Sequence, residues 1–300
     1  MQRYPEQHRQ SSYGGRCSLR SPRWLPALLL AVAGTIATPA MAEVDQALVE
    51  ALMRDSGLSQ QMDSSAANMQ AEIVASLHNS PRLSQLSARQ HNELIQVADR
   101  DFSPARFRGE ALGAMQRTID PGHLPALKTW YQSPLGRKIT AIERASPVDG
   151  GAQAAMAEAG ARRLQIMPAA RVALLQRIVV ATHSVDAAIE MMVAIAEAAG
   201  RGEAEACGKA FSAQELRAKF AQMRPQMQQA IADQSLAFLA KLYGTLTDEE
   251  LLAYVQFLES SAGSDFHWCV SQATQIAFAA VMQGFVHDVS QLADRWRQTK

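Results

Sequence analysis

The sequence is poor in cysteine, in aromatic residues and in net charge. Three cysteines among 300 residues exclude a disulfide-dense scaffold and a zinc site built from cysteine alone. Basic and acidic residues both number 29, so the formal net charge is zero, and no strongly basic surface is available for nucleic acid. Aromatic residues make up only 6% of the chain. Together with abundant alanine and methionine, this composition favours helices over a β-sandwich.

Residues 1–42 have the pattern of a secretory signal peptide. Five arginines and one glutamate precede an uncharged apolar run at 24–34, and a small-x-small cleavage site ends at Ala42. The alternative is an uncleaved membrane anchor, but the apolar stretch of about 15 residues is shorter than the roughly 20 needed to span a bilayer. We therefore expect cleavage after Ala42, a periplasmic or secreted bacterial protein, and no transmembrane segment in the mature chain.

Removal of the leader leaves two cysteines, Cys207 and Cys269. An oxidising compartment permits a disulfide between them, which would enclose roughly 60 residues and stabilise the fold by about 4 kcal/mol in the chain-entropy model. Two buried free thiols are the alternative. Redox chemistry is disfavoured because there is no Cys-x-x-Cys motif. The mature chain keeps 24 basic and 28 acidic residues, a mild acidity that implies no particular partner.

Two stretches of the chain share an apolar pattern at a constant offset of 127 positions. In the first, Leu48, Leu52, Met53, Leu58 and Met62 match Leu175, Val179, Val180, Val185 and Ile189. In the second, Leu124, Ala126, Trp130, Ser133 and Gly136 match Leu251, Ala253, Phe257, Ser260 and Gly263. Two copies at a long period indicate a duplicated domain. The sequence therefore predicts an all-α protein with two similar multi-helix bundles, residues 43–167 and 168–300.

Caps and helix breakers give the helix boundaries. Gly57 ends the first helix, and a second spans 58–77. Ser103-Pro104 and Asp120-Pro121 have the N-cap and first-turn residues that begin a fourth and a fifth helix. In the second half, Thr247-Asp248-Glu249-Glu250 forms a capping box.

The most distinctive segment runs through Trp130-Tyr131 to Ser133-Pro134 and Gly136. An amphipathic helix ends at the aromatic pair, and Ser133 can cap a new helix whose first residue is Pro134. Gly136 removes a side chain where the turn approaches closely. We interpret the segment as a structural corner between two helices. A ligand platform formed by the two aromatic rings is the alternative.

This segment resembles the signature of the bacterial family called domain of unknown function 2059, whose members look like secreted helical proteins. The second half resembles it more loosely through Phe257, Ser260 and Gly263, with Leu258 in place of the second aromatic residue and Ser261 in place of proline. The resemblance implies a secreted helical protein with two tandem copies, the second degenerate, and it supplies no established reaction.

No catalytic signature is present in the sequence. Gly-x-Ser-x-Gly, a phosphate-binding glycine loop and His-Glu-x-x-His are all absent. The histidines of the mature chain have no partner at helical spacing; they are His78, His91, His123, His183, His267 and His287. His267 and Cys269 diverge on a helix, and the acidic run Asp248-Glu249-Glu250 suits a helix N-terminus. We therefore assign no catalytic residue, no metal ligand and no cofactor.

The function class expected is a non-enzymatic binding or assembly module of the cell envelope, whose partner is another envelope protein or an apolar ligand. One alternative is a carrier for an apolar ligand or a membrane-surface protein, with a groove formed by Met191, Met192, Met223 and Met227. Core filling is the simpler role for these methionines. A second alternative is an enzyme with dispersed catalytic residues. Histidines and carboxylates converging in one cleft would favour the enzyme, and a dry apolar cavity would favour the carrier.

Overall fold

A computed structural model describes residues 44–80, 83–147, 149–206 and 210–298, so the predicted signal peptide lies outside the described residues. All regular elements in these ranges are helical, which confirms the all-α prediction. In chain order they are α1 (Gln46–Asp55), α2 (Leu58–His78), α3 (Ala88–Asp101), α4 (Pro104–Thr118), α5 (Leu124–Gln132), α6 (Pro134–Arg144), α7 (Gly150–Leu164), α8 (Ala169–Ala181), α9 (Ser184–Ala206), α10 (Ala213–Leu242), α11 (Asp248–Leu258) and α12 (Ser261–Gln298).

The predicted caps begin the helices where the sequence places them, with two differences. Thr247 forms the predicted capping box, since its hydroxyl accepts from the amide of Glu250 and the Glu250 carboxylate accepts from the amide of Thr247. Ser103 precedes Pro104 at the start of α4, but its side chain makes no capping hydrogen bond. Asp120 begins a short 3-10 helix, Pro121–His123, and α5 starts only after it.

The turn between α1 and α2 has a counterpart between α8 and α9. Gly57 has φ 78° and His183 has φ 52°, and they are the residues with positive φ among those the structure describes. They lie 126 positions apart, one fewer than the predicted offset. Histidine is among the residue types that tolerate this left-handed region better than most.

The buried faces of α1 and α8 follow the same shorter offset. Val49, Leu52 and Met53 are buried in α1, and the positions 126 further on, Leu175, Ile178 and Val179, are buried in α8. The predicted matches of Leu48 with Leu175 and of Met53 with Val180 are therefore wrong in register. Leu48 is 55% exposed and Val180 is 74% exposed. The shift places a different row of side chains against the core.

From α2 onward the helices correspond at the predicted offset of 127. Two pairs of helices in the first half each correspond to one long helix in the second half. The positions of α3 and α4 correspond to the single helix α10, and those of α6 and α7 to the single helix α12. Pro104, which starts α4, has no counterpart that breaks α10, although Pro225 lies within that helix. The internal duplication itself stays a prediction, which superposition of the two halves would test.

The two halves exchange helices in their packing. Helix α7, from the first half, packs against α10 of the second half, and α12 of the second half packs against α3 and α4 of the first. At the first of these contacts the backbones approach closely, because a Cβ on Gly160 would lie 1.7 Å from the carbonyl oxygen of Ala237. Each half thus supplies a helix to the other.

One hydrophobic core contains side chains from both sides of the predicted boundary between 167 and 168. Met115 and Leu127 from the first half and Leu251 and Val281 from the second are fully buried in it. The predicted boundary therefore separates two similar stretches of sequence, but it does not separate two hydrophobic cores.

Helix α12 is long and apolar enough to cross a membrane by length and composition, whereas the sequence pattern predicts no spanning segment after the leader. Only 28% of its apolar window is buried in the protein, but Cys269, Ala273, Ala277 and Val281 along its inner face are fully buried in the core. The absence of a transmembrane segment in the mature chain stays a prediction.

Candidate functional site

The corner between α5 and α6 has the geometry that its sequence predicts. Ser133 caps α6, with its hydroxyl accepting from the amide of Gly136 at 2.9 Å, and Pro134 is the first helical residue. A Cβ on Gly136 would lie 2.0 Å from the carbonyl oxygen of Trp130. Glycine is therefore required by close approach to the backbone of the preceding helix.

The corner between α11 and α12 repeats this arrangement. The hydroxyl of Ser260 accepts from the amide of Gly263 at 3.1 Å, and a Cβ on Gly263 would also lie 2.0 Å from a carbonyl oxygen, that of Phe257. The loss of proline at Ser261 has not changed the turn. Trp130 and Phe257 thus occupy matching positions before their glycines.

The two corners meet through their aromatic rings. Trp130 stacks on Phe257 with ring centroids 4.3 Å apart and planes 6° from parallel, and on Tyr254 at 6.0 Å. Tyr131 is buried and contacts the edges of Phe257 and Phe266 at 5.7 Å and 5.5 Å. Aromatic pairs in such geometries add about 0.5–1.5 kcal/mol each beyond area burial. These contacts support the prediction of a structural corner for Trp130.

Beside the corner, two buried tyrosines converge on one carboxylate. The hydroxyls of Tyr243 and Tyr254 donate to the same oxygen of Glu143, Oε1, at 2.6 Å and 2.8 Å. Among the described residues no donor is paired with the second oxygen, Oε2, and this atom is not among the buried atoms that lack a partner. Oε2 therefore keeps accessible surface and is free to accept a hydrogen bond.

Burial dominates the ionisation of this group. It raises the pKa of Glu143, and the hydrogen bonds from Tyr243 and Tyr254 offset part of the rise because they favour the carboxylate. Burial and the nearby carboxylate also raise the pKa values of Tyr243, Tyr254 and Tyr131 well above the ordinary value. The three phenols are thus neutral at physiological pH, and two of them, Tyr243 and Tyr254, donate to Glu143.

Glu143 lies in the wall of a cleft of about 650 Å³. The cleft is lined by residues of α2 and of every helix from α5 to α12, together with the turns beside them. Its hydrogen-bonding residues include Gln60, Gln61, Ser64, Ser65, Glu143, Arg144, Thr182, Gln234, Tyr243, Tyr254, His267, Ser271, Thr274 and Gln275. Its apolar residues include Met191, Phe238, Leu239, Leu242, Phe266 and Val270. The cleft is thus mixed in character, and it is neither dry nor purely apolar.

His267 contributes a neutral ring to the same cleft. Its Nε2 atom is buried without a hydrogen-bond partner among the described residues. Burial lowers the pKa of His267 to about 4, helped by the nearby His183, so the ring is uncharged at neutral pH. The cleft therefore combines a carboxyl group with an uncharged imidazole.

Residues that correspond at the offset of 127 line the cleft together. The pairs are Gln60 with Ala187, Ser64 with Met191, Glu143 with Val270, Arg144 with Ser271, and Pro147 with Thr274. Both halves of the chain thus contribute positions at this offset to one site. The side chains differ in all five pairs, and the carboxylate of Glu143 is matched by the apolar side chain of Val270.

The other sequence-predicted residues have separate locations. Cys207 lies outside the described residues, and Cys269 is a buried free thiol with Sγ 3.1 Å from Oγ1 of Thr118. The predicted disulfide therefore has no structural support. Lys138, which follows the corner, is exposed, and its Nζ pairs with Glu250 at 2.6 Å.

Two of the four predicted core methionines are not core residues. Met192 and Met223 are exposed, at 40% and 54%. Met191 is partly buried against the core and lines the cleft. Of the four methionines, Met191 alone lines this cleft, so the cleft is not the groove that the four methionines were expected to form.

Sequence reasoning missed the carboxylate–tyrosine group. One signal was available, because Glu143 follows the buried Ile139 by four positions and thus lies on the inner face of α6. Its partners could not be identified in this way, since Tyr243 lies 100 positions away and Tyr254 lies 111 positions away.

Neither a protein-family model, nor a curated protein, nor a solved structure matches this chain. The resemblance to domain of unknown function 2059 accordingly depends on the motif residues of the two corners alone.

Proposed function

We propose that this chain is a non-enzymatic binding module of the bacterial cell envelope and that it binds a small organic molecule in the cleft beside Glu143. The observation that carries the proposal is the convergence of two buried tyrosine hydroxyls on one oxygen of a carboxyl group whose other oxygen is free. Such a fixed acceptor in a cleft of about 650 Å³ is typical of a small-molecule site. The signal-peptide pattern and the family resemblance belong to the same proposal.

The two threonine hydroxyls of the cleft are not arranged as nucleophiles. The hydroxyls of Thr182 and Thr274 donate to backbone carbonyls of their own helices, at 3.0 Å and 2.8 Å, and are therefore not activated by a neighbouring base. The apolar-carrier alternative is disfavoured by the lining, because an apolar occupant would leave Oε2 of Glu143 and Nε2 of His267 desolvated without partners.

The proposal is tested by blocking the cleft. Ser271 lines the cleft from α12, so Ser271→Trp should fill it. Ser290 is exposed on the same helix, so Ser290→Trp is the matched control. A panel of soluble amines, amino acids, alcohols and sugars is screened by thermal shift against all three proteins, with circular dichroism to verify folding.

We expect at least one compound to raise the melting temperature of the wild type and of Ser290→Trp but not of Ser271→Trp. A ligand at a hundred times its dissociation constant adds about 2.7 kcal/mol to stability, which is easily detected. If every stabilising compound acts equally on both tryptophan variants, or if none stabilises the wild type, the cleft is not the binding site.

A further inference from the structure

The lining of the cleft combines a carboxylate with apolar side chains, and this combination bears on what the cleft can bind. Glu143 is separated by the offset of 127 from Val270, which also lines the cleft. Phe238 and Met191 add to the apolar lining. An occupant that satisfies both kinds of side chain has a polar end and an apolar body.

Few cations compete for the carboxylate. Within the described ranges, no ion pair to Glu143 is present, and its hydrogen bonds come from two neutral phenols. The adjacent Arg144 is exposed and donates to Gln60 at 2.7 Å. His267 is neutral because burial lowers its pKa to about 4. A positively charged group could therefore enter the cleft without repulsion from the imidazole of His267.

Aromatic side chains line the cleft together with Glu143. They include Tyr131, Tyr243, Tyr254 and Phe266. Aromatic faces attract cations through the ring quadrupole, and a carboxylate adds a charge-assisted hydrogen bond to an ammonium group. A neutral alcohol could form the hydrogen bond but would gain little from the rings or from the charge.

We propose that the ligand of the cleft is an organic cation, an ammonium group on an apolar body, with its positive end paired to Oε2 of Glu143. This inference rests on the proposed function of the cleft and names its ligand class. The ammonium binds the ionised carboxylate, so binding is linked to the loss of the Glu143 proton.

The linkage has a defined sign. Burial raises the pKa of Glu143. At a pH near or below that pKa, part of the protein therefore carries the protonated form of Glu143, which does not bind the cation. Affinity for the cation should rise as pH rises through that pKa and then level off. Among the groups that face Glu143, Tyr131, Tyr243 and Tyr254 stay neutral because their pKa values are raised. The guanidinium of Arg144 and the imidazole of His267 line the same cleft.

The test compares phenethylammonium with phenethyl alcohol, which have the same body and differ in the charged group. Calorimetric titrations use the wild type, Glu143→Gln and the control Glu158→Gln, whose carboxylate is exposed on α7 and pairs with Arg162. We expect the wild type and the control to bind the ammonium compound about tenfold more tightly than the alcohol. Glu143→Gln should lose this preference.

The pH dependence gives a second readout. From about pH 5 to about pH 8 the wild-type affinity for phenethylammonium should increase, while that of Glu143→Gln should stay constant. Equal binding of the two compounds, or a preference that survives in Glu143→Gln, would overturn the cation assignment. If the two compounds bind equally and Ser271→Trp abolishes both, the binding function stands and only the ligand class is wrong. If neither compound binds, the cation assignment fails, and the compound panel still decides the binding function.

Discussion

Replacing either corner glycine with alanine tests the packing of the two corners directly. Gly136 and Gly263 lie in the first turns of α6 and α12, where alanine would normally stabilise a helix by about 1 kcal/mol. Here a Cβ would lie 2.0 Å from a backbone carbonyl oxygen in each case, against an optimal separation of about 3.5 Å for non-bonded atoms. Because the obstacle is backbone, the corner itself must open.

The expected cost follows from these opposing effects. Overpacking a well-packed site typically costs 1–3 kcal/mol, and opening a corner is at the upper end because the stacked rings of Trp130 and Phe257 must move with it. After the gain in helix propensity, we expect each of Gly136→Ala and Gly263→Ala to lower the free energy of unfolding by about 2 kcal/mol. The two losses should be similar because the two geometries are the same.

Chemical denaturation monitored by circular dichroism measures these changes. Gly109 is the matched control, because it is an exposed glycine in α4 where an added Cβ would have no neighbouring atom within 4 Å. Gly109→Ala should therefore be neutral or stabilising by up to about 1 kcal/mol. If Gly136→Ala is as stable as Gly109→Ala, close approach does not explain the glycine. If only one corner variant is destabilised, the two corners are not equivalent.

Three further predictions concern the rings, the thiol and the carboxyl group. Trp130→Ala should lower the free energy of unfolding by about 3 kcal/mol, measured by thermal unfolding. This is the low end of the range for a large aromatic residue, because the ring is partly exposed. An unchanged melting temperature together with loss of a ligand would instead make the corner a recognition site. In a Cys207→Ala variant without residues 1–42, Cys269 should react with a thiol reagent only after unfolding, because it is buried and its pKa is raised to about 11; rapid labelling of the native protein would contradict this burial. The folded state holds the proton of Glu143 more tightly than the unfolded chain does, because the pKa of Glu143 is raised in the folded protein. The unfolding free energy of the wild type, measured relative to that of Glu143→Gln, should therefore fall as pH rises from the ordinary glutamate pKa through the raised pKa. A constant difference between the two proteins across that range would exclude the raised pKa.

Local signals in the sequence predicted the helices well. Gly57, Ser133 and Thr247 end or begin helices where their chemistry requires, because capping depends on residues within one turn of each other. The same local reasoning predicted the close approach at Gly136. It erred by one position in α1 and α8, since a pattern of apolar residues alone did not show that Leu48 is exposed.

The candidate site depends on contacts that no local pattern encodes. Glu143 meets Tyr243 and Tyr254 only because helices of one half pack against helices of the other. The sequence predicts two similar bundles, but it does not show that helices of one half pack against helices of the other. The lining of the cleft follows from that exchange, so it could not be predicted before the packing was known.

The exchange of helices also determines when the protein can fold during its synthesis. The last helix, α12, covers α4, and Thr118 at the end of α4 contacts Cys269, which follows it by 151 positions. N-terminal domains commonly fold while the remainder of the chain is being made, and α1 and α2 can already pack against α4 at that stage. The part of α4 that α12 covers, however, stays exposed to solvent until the last helix has emerged, so the first half completes its packing only when synthesis of the chain is almost finished.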